Sequence, residues 1–386
     1  MPNDVSGVSG STTSALERAR GLYELISAEA LEGERLGRLT DRVGQAMLGA
    51  GLFAMLLPRA LGGEACSRAA FFETVEEVAR ADGSAGWCLS VCSAIADFTC
   101  RGATPEAVDE VFGGGPVAMW TSLLPRASSK PVDGGFRVSG AFSMGSGSAH
   151  ARWVLVAAPL ADRSGAQWFR AHILPKTDVT IQPDSWDVMG LRATTSIEYT
   201  IDDRFTPAHR TFEYPFTPEP TSSVISAAYG VQLNQIGLAA FAAGVARRAV
   251  DELLAAAPKT KRTVGEGTLA DDNVVQFGVG ELEGRLKAAR AYLLSLVAEH
   301  DRHGHADAAL ALETSQAAQI LTRAAREMVI FAFDYAGTKV IFAANPIQRC
   351  LRDIFTGLKH ASFTPALLTN AGAARLGRAV GRTRLS

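Results

Sequence analysis

In the 386-residue chain no run of Lys or Arg forms a stripe, and 38 basic against 40 acidic side chains leave a formal net charge of −2. A nucleic-acid or polybasic membrane-binding role requires a basic footprint, and the sequence writes none. Five cysteines, Cys66, Cys88, Cys92, Cys100 and Cys350, form no CxxC pair and no even framework. They read as free thiols of a reducing, cytoplasmic compartment, with Cys88 and Cys92 as small buried hydrophobes on one helix face. The most apolar helical stretch, Gly237 to Ala246, stops at Arg247 and Arg248, short of the ~20 residues of a membrane span. The chain therefore reads as soluble. Nor is there a P-loop or a GxSxG elbow, because Met144 stands two residues before Ser146. Gly278 to Gly284 imitates a dinucleotide fingerprint but has the wrong spacing and sits inside a helical pattern, so no nicotinamide site is expected. His300, His303 and His305, with Asp301, read as a solvated helix end rather than a metal site.

What is present changes texture twice. Residues 1–14, dominated by Ser, Gly and Thr, lack the basic and apolar regions of a secretory signal and read as a disordered tail. Over 15–114, Leu, Ile, Val and Met recur at three- and four-residue spacing, the mark of helices. One helix carries Phe71, Phe72, Val75 and Val78 inward and Glu73, Glu76 and Glu77 outward; another covers about Ser84 to Cys100. Over 115–215 the period shortens to two. Phe136-Arg137-Val138, Trp153 to Ala158 and Ile197 to Ile201 read as strands, with a turn at Asp133-Gly134-Gly135. Over 222–386 long Ala-rich helices return, at about 223–257, 272–303, 307–336 and 346–376, as expected of a four-helix bundle. The fold class is mostly α with a central β-domain.

Two segments carry a resemblance: Gly134-Gly-Phe-Arg-Val-Ser139 running into Gly140-Ala-Phe-Ser-Met-Gly-Ser-Gly-Ser-Ala-His-Ala-Arg-Trp-Val154, and Asn345-Pro-Ile-Gln-Arg-Cys-Leu-Arg-Asp353 with His360 beyond it. Trp186 to Ser196, Ile201 to Pro207 and Asp82-Gly-Ser-Ala-Gly-Trp87 add to it. In order and spacing they resemble the flavin-dependent, two-component (group D) monooxygenases built on the acyl-CoA dehydrogenase fold. That fold has an N-terminal helical domain, a small β-barrel or sandwich and a C-terminal four-helix bundle. The resemblance implies an oxygenase component that uses reduced flavin, FMNH2 or FADH2, and O2. A C4a-hydroperoxyflavin would then oxidise an aromatic (indole-like or phenolic) or amine substrate. It implies a separate NAD(P)H:flavin reductase as partner and a homotetramer, a dimer of dimers.

The same resemblance supplies candidate residues. Ser146 would bond near flavin N5 and protect the peroxide, and His360 would face the substrate, where an imidazole of ordinary pKa about 6.5 accepts or orients a proton. Trp120, Thr121 and Ser122 would contact the isoalloxazine; Arg262 and Phe277 lie on helices where a neighbouring subunit meets the flavin phosphate. Arg352 and Asp353 are expected as an ion pair that fixes the last helix, and His150 as a supporting residue. Ile95 stands where many phenol hydroxylases carry a His, which tilts the expectation toward indoles. A second reading is a flavoprotein that oxidises an acyl thioester. It needs a carboxylate base, yet Ile341-Phe-Ala-Ala344 stands where the familiar dehydrogenases hold Glu, and no Glu occurs beyond Glu327. A third is a flavin-free, non-catalytic relative.

Overall fold

The structure is a computed structural model that describes residues 13–115, 117–121, 126–161, 167–216, 227–262, 265–303 and 308–378. Its first part contains α1 (Ala15–Gly21), α2 (Tyr23–Leu36), α3 (Asp41–Gly49), α4 (Arg68–Ala81), α5 (Gly83–Gly102) and α6 (Pro105–Phe112). Ser14, Thr40, Ser67 and Thr104 start four of these by accepting a hydrogen bond from a first-turn backbone N–H, which satisfies a donor the helix leaves open. Of the expected tail, residues 1–12 lie outside the described residues; Ser14 is the cap of α1.

Among the described residues the second part has eight strands: β1 (Met119–Thr121), β2 (Ser128–Val132), β3 (Gly135–Gly145), β4 (Trp153–Pro159), β5 (Gln167–Pro175), β6 (Thr180–Ile181), β7 (Ile197–Pro207) and β8 (Thr211–Phe216). They form two four-stranded sheets, in the orders β1-β4-β5-β8 and β2-β3-β7-β6. Between the sheets, Tyr199 stacks on Phe142 at 5.0 Å and meets the edge of Trp120 at 5.7 Å. The β3–β7 ladder slips register between Phe142 and Gly145. Such a bulge bends a strand and re-aims the residues at its end, here the turn that carries Ser146.

The third part contains α7 (Ala227–Ala256), α8 (Asn273–His303), α9 (Ala308–Tyr335), α10 (Pro346–Gly357) and α11 (Ala366–Arg375). Helix α7 is the spine, packed on α4, α5, α9 and α10. Its approach to α4 depends on Gly244, where a Cβ would come within 2.2 Å of the Glu76 carbonyl oxygen.

Three expectations need correction. The last helical stretch is broken: α10 ends at Gly357 and a 3-10 turn, Ala361–Phe363, precedes α11. Glu76 and Glu77 are buried rather than outward, because Arg290 and Arg247 reach across from α8 and α7 to pair with them. His300 is fully buried against Thr314, 2.8 Å away, not solvated. The side chain of His303 and all of His305 lie outside the described residues, among which no cluster could hold a metal ion. Gly278 to Gly284 lie within α8.

Candidate active site

Trp87 lies where the three parts of the chain meet. Its buried ring presents an edge to Phe241 of α7 at 5.2 Å and to His360 at 5.8 Å. Its indole N–H donates to Ser146 Oγ at 3.1 Å. The close approach of α10 requires Gly357, where a Cβ would stand 2.5 Å from the Phe241 ring and 3.1 Å from Trp87. Ser146 and His360 are thereby gathered around one indole.

The turn that carries Ser146 docks on a second irregular segment, residues 190–196. Gly147 N–H donates to the Thr194 carbonyl at 2.8 Å, and Ser148 Oγ to that of Thr195 at 2.9 Å. Met144, Leu191 and Thr195 all have positive φ, at 62°, 54° and 49°. Non-glycine residues in this region are uncommon and a β-branched one is a true outlier; such strain gathers where surrounding contacts over-determine the backbone. Between the segments runs a line of buried hydroxyls. Ser146 Oγ is 2.6 Å from Ser196 Oγ, which is 2.6 Å from Thr194 Oγ1, and Thr194 donates to the Leu191 carbonyl at 2.8 Å.

His360 sits in the turn after α10. Its Nδ1 accepts the Ser362 N–H at 3.1 Å, so the uncharged ring carries its proton on Nε2. Burial lowers its pKa to about 4, because a desolvated cation is disfavoured. At neutral pH it is a neutral donor through Nε2, an atom without a partner among the described residues.

Arg352 and Asp353 do not pair with each other. Adjacent helical positions point to different faces, and the two grip different partners. Arg352 pairs with Glu34 at 2.7 Å and donates to the Met189 carbonyl, whereas Asp353 Oδ1 accepts the Leu191 N–H at 2.6 Å. Gly190 lets the segment lie on α10, since a Cβ there would be 2.1 Å from the Arg352 carbonyl oxygen. Asp82 stands beside Asp353: a Cβ on Gly83 would be 2.6 Å from Asp353 Oδ2. Burial, and for Asp353 the neighbouring carboxylate, push both above the usual carboxylate range, with Arg349 opposing.

The other candidates are more scattered. His150 is in the turn after β3; its Nε2 is 3.0 Å from the Leu39 carbonyl oxygen and its ring fills the space over Gly44. Trp120 is buried with Lys176 over its ring, and its N–H has no partner among the described residues. Thr121 donates to the Leu155 carbonyl at 2.8 Å. Ser122 lies outside the described residues. Arg262 is in the loop after α7, not on a helix, paired with Asp272 at 3.1 Å. Phe277 on α8 is 73% exposed. No hydrogen bond or ring contact joins Arg262 or Phe277 to Trp87, Ser146 or His360.

The polar groups left uncommitted here suit the polar edge of a flat heterocycle. Ser146 keeps an unused lone pair, His360 an unused N–H and Trp120 an unpartnered one. Sequence reasoning passed over Trp87, Thr194 and Ser196 as site residues. The run of hydroxyls Thr194-Thr195-Ser196 was the available signal, and it becomes informative only once folding sets it against Ser146.

The family model described as the acyl-CoA dehydrogenase C-terminal domain matches residues 236–365. An indole-3-acetate monooxygenase of Pseudomonas putida is 28% identical over 358 residues, covering 90% of each chain. The oxygenase component of an FADH2-dependent resorcinol hydroxylase of Rhizobium sp. is 28% identical, over 93% of each. The crystal structure of 3-HSA hydroxylase from Rhodococcus sp. RHA1 superposes with a TM-score of 0.86 at 25% identity, covering 96% of this chain and 99% of that one.

Proposed function

This chain is a homologue of the flavin-dependent monooxygenases built on the acyl-CoA dehydrogenase fold, and from that premise we propose that it is the oxygenase component of a two-component system, acting on a small aromatic substrate. Reduced flavin, when bound, supplies the two electrons with which O2 delivers one oxygen atom to the substrate and leaves the other as water. The observation that carries the assignment of residues is the junction at Trp87, which sets Ser146 and His360 around one ring.

In this reading Ser146 would hold the flavin ring near N5, and Trp120 and Thr121 of β1 would contact it. His360 donates from Nε2 to a polar atom of the substrate and so orients it. Trp87 and Phe241 exclude water, which protects the reaction from unproductive breakdown. Relatives named for indole-3-acetate and for resorcinol support an indole or phenol. The latter relative is an oxygenase component, which supports a separate NAD(P)H:flavin reductase here. A homotetramer would cover Phe277 together with Ile341 and Phe342, which are 70% and 65% exposed. Five free cysteines support a reducing, cytoplasmic location.

The test is a product balance. Protein with anaerobically reduced FMN or FAD is mixed with oxygenated buffer and a panel of indoles and phenols, and oxidised product is counted against hydrogen peroxide. Product from one class supports the proposal. Peroxide alone, joined to reduction of an artificial acceptor by acyl thioesters, would overturn it in favour of a dehydrogenase. His360→Ala should lower product per flavin oxidised by roughly 10- to 100-fold while flavin oxidation continues. Equal losses in both would remove His360 from the substrate.

A further inference from the structure

We infer that a one-way hydrogen-bond relay makes Ser146 an acceptor toward the flavin, and that Ser196 and Thr194 are positioning residues that thereby select reduced over oxidised flavin. This rests on the reading that Ser146 meets flavin N5.

The two ends set the direction. An indole N–H can only donate and a carbonyl can only accept. Thr194 spends its proton on the Leu191 carbonyl, so it must accept from Ser196. Ser196 has then spent its own, so the bond to Ser146 must be donated by Ser146. Ser146 in turn accepts from Trp87. Every hydroxyl gives one proton and takes one, and the chain runs Trp87, Ser146, Ser196, Thr194, Leu191 with no second arrangement. Burial of all three hydroxyls keeps water from offering another path, and aligned bonds polarise one another along such a chain. The terminal carbonyl is itself held in place, because Asp353 grips the Leu191 N–H.

What remains on Ser146 is one lone pair and no proton. Reduced flavin carries hydrogen on N5 and is a donor there; oxidised flavin has a bare lone pair on N5. Ser146 therefore satisfies the reduced ring and faces the oxidised ring with lone pair against lone pair. The relay thus makes Ser146 an acceptor at this position. Reduced flavin arriving from elsewhere is retained, and spent flavin is released.

The experiment is equilibrium binding of FMN and of FAD in both redox states, together with the midpoint potential of the bound flavin. The full-length wild-type protein is compared with Ser146→Ala, Ser196→Ala, Ser196→Thr and Thr194→Val. Ser196→Ala frees the Ser146 proton and should reduce the preference for reduced flavin about tenfold, about 30 mV for a two-electron couple. Thr194→Val should move it in the same direction and provides the test if Ser196→Ala does not fold. Ser196→Thr keeps the hydroxyl and should keep the wild-type ratio. A ratio that shifts in Ser146→Ala but not in Ser196→Ala or Thr194→Val overturns the relay and leaves Ser146 at the flavin. A ratio that does not shift in Ser146→Ala overturns the placement of the flavin and the relay's role with it.

Discussion

Two clusters of buried polar groups meet at Leu191, and they are built on opposite principles. On its carbonyl side lies the line of neutral hydroxyls, each bonded in both directions. On its amide side lies Asp353, close to Asp82, with Glu34, Arg349, Arg352 and Arg248 around the pair. There Asp82 Oδ1 has no partner among the described residues. The neutral side fixes the direction of protons at little electrostatic cost. The charged side fixes the position of a backbone segment, but carries carboxylates that burial disfavours. A flavin bound at Ser146, as proposed, would need a defined proton arrangement beside it and a firm anchor behind it.

The largest effect should come from breaking the anchor. Asp353→Ala strips the Leu191 N–H of its acceptor inside the protein and should cost about 3 kcal/mol in urea unfolding. Asp353→Asn keeps the acceptor oxygen and removes the charge, so it should stay within about 1 kcal/mol of wild type or exceed it. Equal losses in the two variants would show that the charge, not the acceptor, is what α10 contributes.

The pH dependence sharpens the contrast. Folding raises the affinity of Asp82 and Asp353 for protons, so their contribution to stability declines as pH rises above the ordinary carboxylate range, near 4. His360 and His172 go the other way. Burial lowers both to about 4, so their contribution is complete above the unfolded value of about 6.5 and is lost as pH falls toward 4. In the wild type the two slopes oppose each other between about 4 and 6.5. Asp353→Asn removes part of one, and its stability should fall more steeply than wild type from pH 6.5 to 4.5 by urea unfolding. Parallel curves would mean that Asp353 is ionised throughout that range.

The three parts of the fold were legible because burial imposes a period. Spacing of three and four marked α4 and α5, and alternation marked β3 and β7. What the period could not show is which outward-looking position later meets another helix. Glu76 and Glu77 read as solvent-facing until Arg290 and Arg247 cover them, and His300 read as a helix end until Thr314 does. The candidate site divides the same way. Ser146 and His360 came from local motifs, while Trp87 joins them across 59 residues from Ser146 and Ser196 bonds across 50. Such pairings arise when a bulge in β3 and the turn after α10 point side chains at one another, and neither event has a signature in spacing.

The smaller predictions separate the two ends of the relay. Ser196→Ala should cost only about 1 kcal/mol of stability, the worth of an ordinary hydrogen bond, while shifting the flavin preference about tenfold. Stability and flavin choice are then distinct readouts of one bond. Trp87→Phe cuts the relay at its head instead. It removes a donor to Ser146 but leaves the Ser146 proton committed to Ser196, so both redox states lose the same packing and the ratio of their affinities should stay where it was. If removing the head shifts the ratio as much as removing Ser196, the selection comes from general loosening around Ser146 and not from the direction of its proton.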